Sequence, residues 1–130
     1  MKPPIETVRL TSSERELLVR VKKKTGIESW NVLCRWSLIL GLSEKMLPMR
    51  KGVEKRDAVE IKWDIFSGKW SDILSAAIQL RYHANTKFNP ELTLFDFIHS
   101  RLEDGVRKLT KATADNELRA FTALLNAISE

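Results

Sequence analysis

From Ile5 to Thr11, IETVRLT, the chain alternates: Glu6, Val8 and Leu10 fall on one face, and Ile5, Thr7, Arg9 and Thr11 on the other. That spacing predicts a short strand or extended arm. The next run, SSERELLVRVKKKTG, changes to helical spacing. Leu17, Leu18 and Val21 make a narrow apolar stripe, and Arg15, Arg20, Lys22, Lys23 and Lys24 occupy most of the remaining surface. Ser13 and Glu16 stand in capping-box spacing, so the helix is expected to open at Ser13. Gly26 sits where a left-handed residue would end it. Ser29 then caps a helix from Trp30 to about Leu42. Its apolar residues cover nearly every side, so it should be buried on several faces. In so small a protein it is a candidate subunit interface, through Trp30, Leu33, Trp36 and Leu40.

Ser43 to Asp57, with Pro48, Gly52 and a cluster of Lys and Arg, reads as a basic surface loop. Val59, Ile61, Trp63 and Ile65 alternate, which predicts a second strand, VEIKWDIF, broken at Ser67-Gly68. A helix from about Ser71 to His83 follows, with Ile73, Leu74, Ala77, Ile78 and Leu80 inside. Thr93 can cap another helix carrying Leu94, Phe97, Ile98, Leu102, Val106 and Leu109. A last helix is expected from Asp115 to Ile128. The fold class is therefore mainly α, with about five helices and one or two short strands. It reads as a single domain over 1–130, with residues 1–42 a basic strand–helix–turn–helix half and 58–130 a helical remainder.

Charge sharpens this division. The net charge is +5 over 130 residues. Residues 1–56 hold 13 Lys+Arg against 6 Asp+Glu, a balance of +7, which leaves −2 for the rest. A basic half joined to a slightly acidic half points to a polyanionic partner, nucleic acid before membrane. No secretory leader and no apolar run of membrane-spanning length is visible, so a soluble, cytoplasmic protein without membrane contact is expected.

Strand, helix, tight turn, helix is the order of a ribbon–helix–helix unit. There the start of the second helix meets a phosphate through free N–H groups. Here those groups belong to Trp30 and Asn31, with the Ser29 hydroxyl beside them and Lys22, Lys23 and Lys24 flanking the same track. Glu28 is a negative charge beside that position. The arm offers few groups able to read base edges (Thr7, Arg9 and Thr11), so phosphate contact with strong salt dependence is the expected mode. Arg50, Lys51, Lys55 and Arg56 are assigned to DNA on charge alone.

Catalytic chemistry has little to stand on. No Gly-rich phosphate loop, nucleophile elbow or metal-ligand spacing is present, and no cofactor or metal is expected. The single cysteine, Cys34, excludes an intrachain disulfide. It is expected to be buried and inert, although Arg35 could activate it if it were exposed. Trp30, Trp36 and Trp63 fall on apolar periodicity and should be core; Trp70 is a candidate for exposure.

The segments TGIESWNVLCRW, VEIKWDIFSG with its W-x-x-F-x-G from Trp63 to Gly68, and LSAAIQLRYH resemble the DndE family of DNA sulfur-modification proteins, over roughly residues 8–110. The resemblance implies a role in DNA phosphorothioation, a restriction–modification setting in which sulfur replaces a non-bridging phosphate oxygen. It implies a ribbon–helix–helix-like fold and a non-catalytic subunit that binds duplex DNA, with a preference for nicked duplex. It also implies a homo-oligomer, expected as a tetramer, acting beside a sulfurtransferase and an ATPase. The family's DNA contact maps onto Arg20, Lys22, Lys23 and Lys24, and the turn at Gly26 onto a loop that supports assembly. Three alternatives stand beside this reading: a ribbon–helix–helix transcriptional repressor, a sulfur carrier using Cys34, and a scaffold that does not bind DNA.

Overall fold

The computed structural model describes residues 2–43 and 54–114. Strand β1 (Thr7–Leu10) leads directly into α1 (Ser12–Thr25), and a short turn joins it to α2 (Trp30–Ser43). After the segment outside the description come β2 (Val59–Lys62), the one-turn helix α3 (Trp63–Ser67), a 3₁₀ turn (Gly68–Trp70), α4 (Ser71–Thr86) and α5 (Leu94–Ala114). The mainly α fold expected from the sequence is present, with a two-stranded antiparallel sheet. The expected helix over 115–128 and the loop residues Arg50 and Lys51 lie outside the described residues.

β1 pairs with β2 of the same chain, in the register Thr7↔Lys62 to Leu10↔Val59. Val8 and Leu10 are fully buried, and Thr7 and Arg9 face outward, so the alternation read from the sequence is real. The second strand is shorter than expected. It stops at Lys62, and Trp63 begins a helical turn instead of continuing the ladder. The Trp63 N–H donates to the Glu6 carbonyl at 2.9 Å and its indole N–H to the Ser71 hydroxyl at 3.0 Å. Those two bonds, with Asp64 at the positive end of the new turn, hold the chain in a corner.

The opening of α1 is also shifted. Thr11, not Ser13, is the N-cap, and Glu14, not Glu16, closes the capping box. Glu14 is the acid on the inner face of the helix, where Arg56 meets it at 2.7 Å; Glu16 is exposed. Ser13 is engaged differently: its N–H and hydroxyl both donate to the Glu54 carboxylate. At the other end Gly26 adopts φ 74° and its N–H returns to the Lys22 carbonyl, as its position predicted.

The centre of the fold is the antiparallel crossing of α2 and α5. At Gly41 a Cβ would stand 1.8 Å from the Arg101 carbonyl oxygen, and at Gly105 1.4 Å from that of Ser37. Each helix thus presents a glycine to the other's backbone. On α5, Phe97, Ile98, Leu102, Val106 and Leu109 are all fully buried, the stripe expected from their spacing. The Thr93 hydroxyl accepts the Asp96 N–H at 3.2 Å, which makes it the expected cap.

Burial on α2 and α4 departs from expectation. Leu33, Cys34 and Leu38 are fully buried, but Trp30, Trp36 and Leu40 are only half-buried and Ile39 is exposed, so α2 has an outer side. On α4, Leu74 and Ile78 are buried, whereas Ile73 is 66% and Leu80 74% exposed. Helical spacing marks which residues share a stripe, but not whether a neighbour covers it. Trp70 is half-buried.

Adding one methyl at the crossing should therefore be costly. Gly105→Ala is expected to lower unfolding stability by about 3 kcal/mol, read from the urea midpoint at unchanged slope. A wild-type midpoint would show that the two backbones do not meet there.

Candidate nucleic-acid interface

Of the residues picked for phosphate contact, those on α1 and at the start of α2 lie on either side of one turn, but not as a uniform set. Arg20, Lys23 and Lys24 are exposed and stand at i, i+3 and i+4 on α1, which places them on one face. Lys22 points elsewhere: it is half-buried and its ammonium lies 4.6 Å from the centroid of the Trp30 ring. Its cation–π contact spans the turn and ties the end of α1 to the start of α2. Among the described residues no carboxylate pairs with Arg20, Lys23 or Lys24.

The start of α2 is more committed than its sequence suggested. The exposed Ser29 caps it, its hydroxyl accepting the Val32 N–H at 3.4 Å. The half-buried Asn31 gives its carbonyl to the Arg35 Nε at 3.3 Å. The first turn holds no acidic side chain, and Glu28 is exposed just before it. Because α2 and α5 cross antiparallel, the last turn of α5 lies at this same end. It brings Lys111, an exposed cation not singled out from the sequence. Only the topology, and no local signal, places Lys111 towards the start of α2.

Other assignments change. Arg56, grouped with DNA on charge, is an internal residue. It donates to the Arg9 carbonyl at 3.3 Å, the Glu14 carboxylate at 2.7 Å and the His99 carbonyl at 3.2 Å. Glu103 completes its surroundings at 3.9 Å. The arm offers less for base reading than expected: Arg9 is ion-paired with Glu60 and Thr11 is buried as a cap, which leaves Thr7 half-exposed. Leu33, an expected interface residue, is fully buried within its own chain, whereas Gly26 is exposed and Trp30, Trp36 and Leu40 are half-exposed.

The groups with chemical potential are held inert. Cys34 is buried, and burial, helped by the nearby Glu14 charge, pushes its thiol up to about 12. Burial lowers the His99 imidazole to about 4, against the opposing Phe95 carbonyl bond. His99 Nε2 accepts the Arg9 N–H at 3.1 Å and Nδ1 faces the Phe95 carbonyl at 2.8 Å, which fixes the neutral Nδ1–H tautomer. Burial also raises Glu14, offset in part by the Thr11 N–H and Arg56. Among the described residues no group of three or more His, Cys, Asp or Glu could hold a metal. No described helix is long and apolar enough to cross a membrane.

The profile of DNA sulphur modification protein DndE matches residues 7–117. The chain belongs to the DndE family. Its system is therefore DNA sulphur modification, the phosphorothioation of DNA. The comparison with curated proteins gives no match. The segments that carry the DndE resemblance meet in space. Trp63 and Phe66 pack with ring centroids 5.6 Å apart, and the Arg35 guanidinium lies against Gly68, whose φ of 53° and lack of a side chain admit it.

Two measurements check this inertness. Native protein should leave Cys34 unmodified by a thiol reagent that labels it fully in denaturant; rapid native labelling would contradict the burial. In a proton NMR titration, His99 should stay neutral down to about pH 4. Its stabilising contribution is then full above the unfolded value near 6.5 and is lost as pH falls through about 4. A midpoint near 6.5 would place the ring in water.

Proposed function

We propose that this chain is a non-catalytic subunit of the phosphorothioation machinery that grips the DNA phosphate backbone with the end of α1. The observation that carries the reading is the exposed trio Arg20, Lys23 and Lys24, which has no carboxylate partner among the described residues. Cations with no internal partner can meet phosphates without first breaking an ion pair, and each contact releases counterions. Lys111 extends the same end, and Lys22 holds the turn. The sulfurtransferase and ATPase of the system are the protein partners this role implies. Self-association falls to Gly26, Trp30, Trp36 and Leu40, with Leu33 withdrawn because it is fully buried.

Two of the alternatives lose support. A repressor would need an arm free to read bases, and β1 is paired inside its own chain with Arg9 and Thr11 engaged. A sulfur carrier needs a thiolate, and Cys34 is buried with its thiol pushed up to about 12. The buried His99 and Glu14 are committed to structural bonds.

The decisive measurement is the salt dependence of binding to intact and nicked duplexes. Replacing Arg20, Lys23 and Lys24 together by Ala should weaken both and reduce the slope of log K against log salt by about 3. Lys22→Ala should act through the turn, weakening binding with a smaller change of slope. An unchanged slope in the triple variant would remove the end of α1 from the interface.

A further inference from the structure

An apolar groove lies along the join of α2 and α4. At one end Trp36 and Trp70 border an open cavity of about 150 Å³. At the other, Leu42 and Leu80 border a wider one of about 640 Å³. Ile39, Ile73 and Leu74 line both, so the two form one trough, and residue numbers rise along it on both helices, which therefore run in the same direction. Val32 and Leu74 are buried in it, whereas Ile73 and Leu80 are largely exposed. Each wall repeats at helical spacing: Val32, Trp36 and Ile39 from α2, and Ile73, Ala77 and Leu80 from α4. Two such walls make the seat that a third helix fills with its own apolar stripe.

The rim of the trough carries charge of one sign. Arg35 stands at the Trp36 end and Arg81 at the Leu80 end, and no Asp or Glu is among the described residues lining it. Neither guanidinium is ion-paired among the described residues. Arg35 gives its Nε–H to the Asn31 carbonyl and rests against Gly68. Burial draws its pKa below the usual arginine range, the mark of a cation that has lost water without gaining an anion.

An apolar trough between two cations discriminates among occupants. A second copy offering the same face would set guanidinium against guanidinium, whether the two chains met head to head or head to tail, and like charges so placed oppose pairing. We propose that the groove docks an amphipathic helix of a partner protein, apolar along one stripe and acidic at both ends. The stretch from Val32 to Leu42 is about 15 Å long, so about ten helical residues fill it and the acids stand just beyond. Carboxylates there would meet Arg35 and Arg81, whose planar donors suit them. The proposal does not depend on the DNA reading.

The test is a titration of the full chain with two dye-labelled synthetic peptides of about 14 residues. Each carries leucines at i, i+3, i+4 and i+7; one is flanked by glutamates and the other by lysines. Fluorescence anisotropy should show the glutamate peptide binding about tenfold tighter, and Arg35→Glu with Arg81→Glu should reverse the order. Equal affinities, or no binding, would overturn the proposal. Because Arg35 packs against Gly68, a second variant covers the case of misfolding. Ile73→Asp with Leu80→Asp alters only largely exposed residues and should abolish binding of the glutamate peptide at unchanged far-UV circular dichroism. Retained binding would put the peptide elsewhere and overturn the proposal. A dimer seen by light scattering in the native chain and lost in this variant would give the groove to a second copy instead. Duplex DNA should leave the peptide bound; displacement would make Arg35 and Arg81 part of a phosphate surface and overturn the proposal while sparing the DNA reading.

Discussion

Two helix backbones touch at Gly41 and Gly105, and the positions of the other elements follow from that contact. Glycine at both points lets α2 and α5 approach more closely than any side chain would allow, so neither can slide or rotate without a backbone clash. The register of that crossing decides which side of α2 is core. Leu33, Cys34, Ser37 and Leu38 turn inward, and Trp36 and Ile39 are left outside. The crossing therefore sets both the start of α2, next to the basic end of α1, and the apolar face opposite α5.

The second constraint is polar. Arg56 binds the acid of the α1 capping box, a carbonyl of β1 and a carbonyl of α5. A half-buried guanidinium needs acceptors for the donors it turns inward, and here several elements supply them. Its worth is less in stability than in specificity: the strand, the first helix and the fifth helix satisfy it only in one arrangement. His99 adds a bond to the Arg9 N–H on the ribbon, neutral because its site is dry. Together these bonds fix the start of α1, while towards its far end Val21 is buried in the core, the Lys22–Trp30 contact and the Gly26 turn close the helix, and Lys23 and Lys24 are exposed.

Much of this was legible in the sequence, and the failures share a cause. The α5 stripe, the Gly26 terminus, the Thr93 cap and the alternation of β1 depend on local spacing, and each is where that spacing put it. The errors arise where a residue's partner is distant in sequence. Glu14 outcompetes Glu16 because Arg56, 42 residues away, selects it. Ile73 and Leu80 have core spacing but no described element above them. Trp63 ends a strand because Ser71 and Glu6 hold it in a corner. Of the candidate site, the cluster of cations was visible, but its division was not. Lys22 leaves the set because a ring across the turn captures it, and Lys111 joins only through the antiparallel crossing.

Under the proposed role, the division has a physical consequence for binding. Cations at a helix C-terminus are stabilised by the backbone dipole there, which draws part of their field back into the protein. A phosphate must compete with that dipole, and three adjacent cations compete better than one, because a duplex presents phosphates in series rather than singly. Arg20, Lys23 and Lys24 lie on one face within about one turn of helix, roughly 6 Å along the axis, close to the spacing of successive phosphates on a strand. Lys22, turned toward Trp30, ties the turn together.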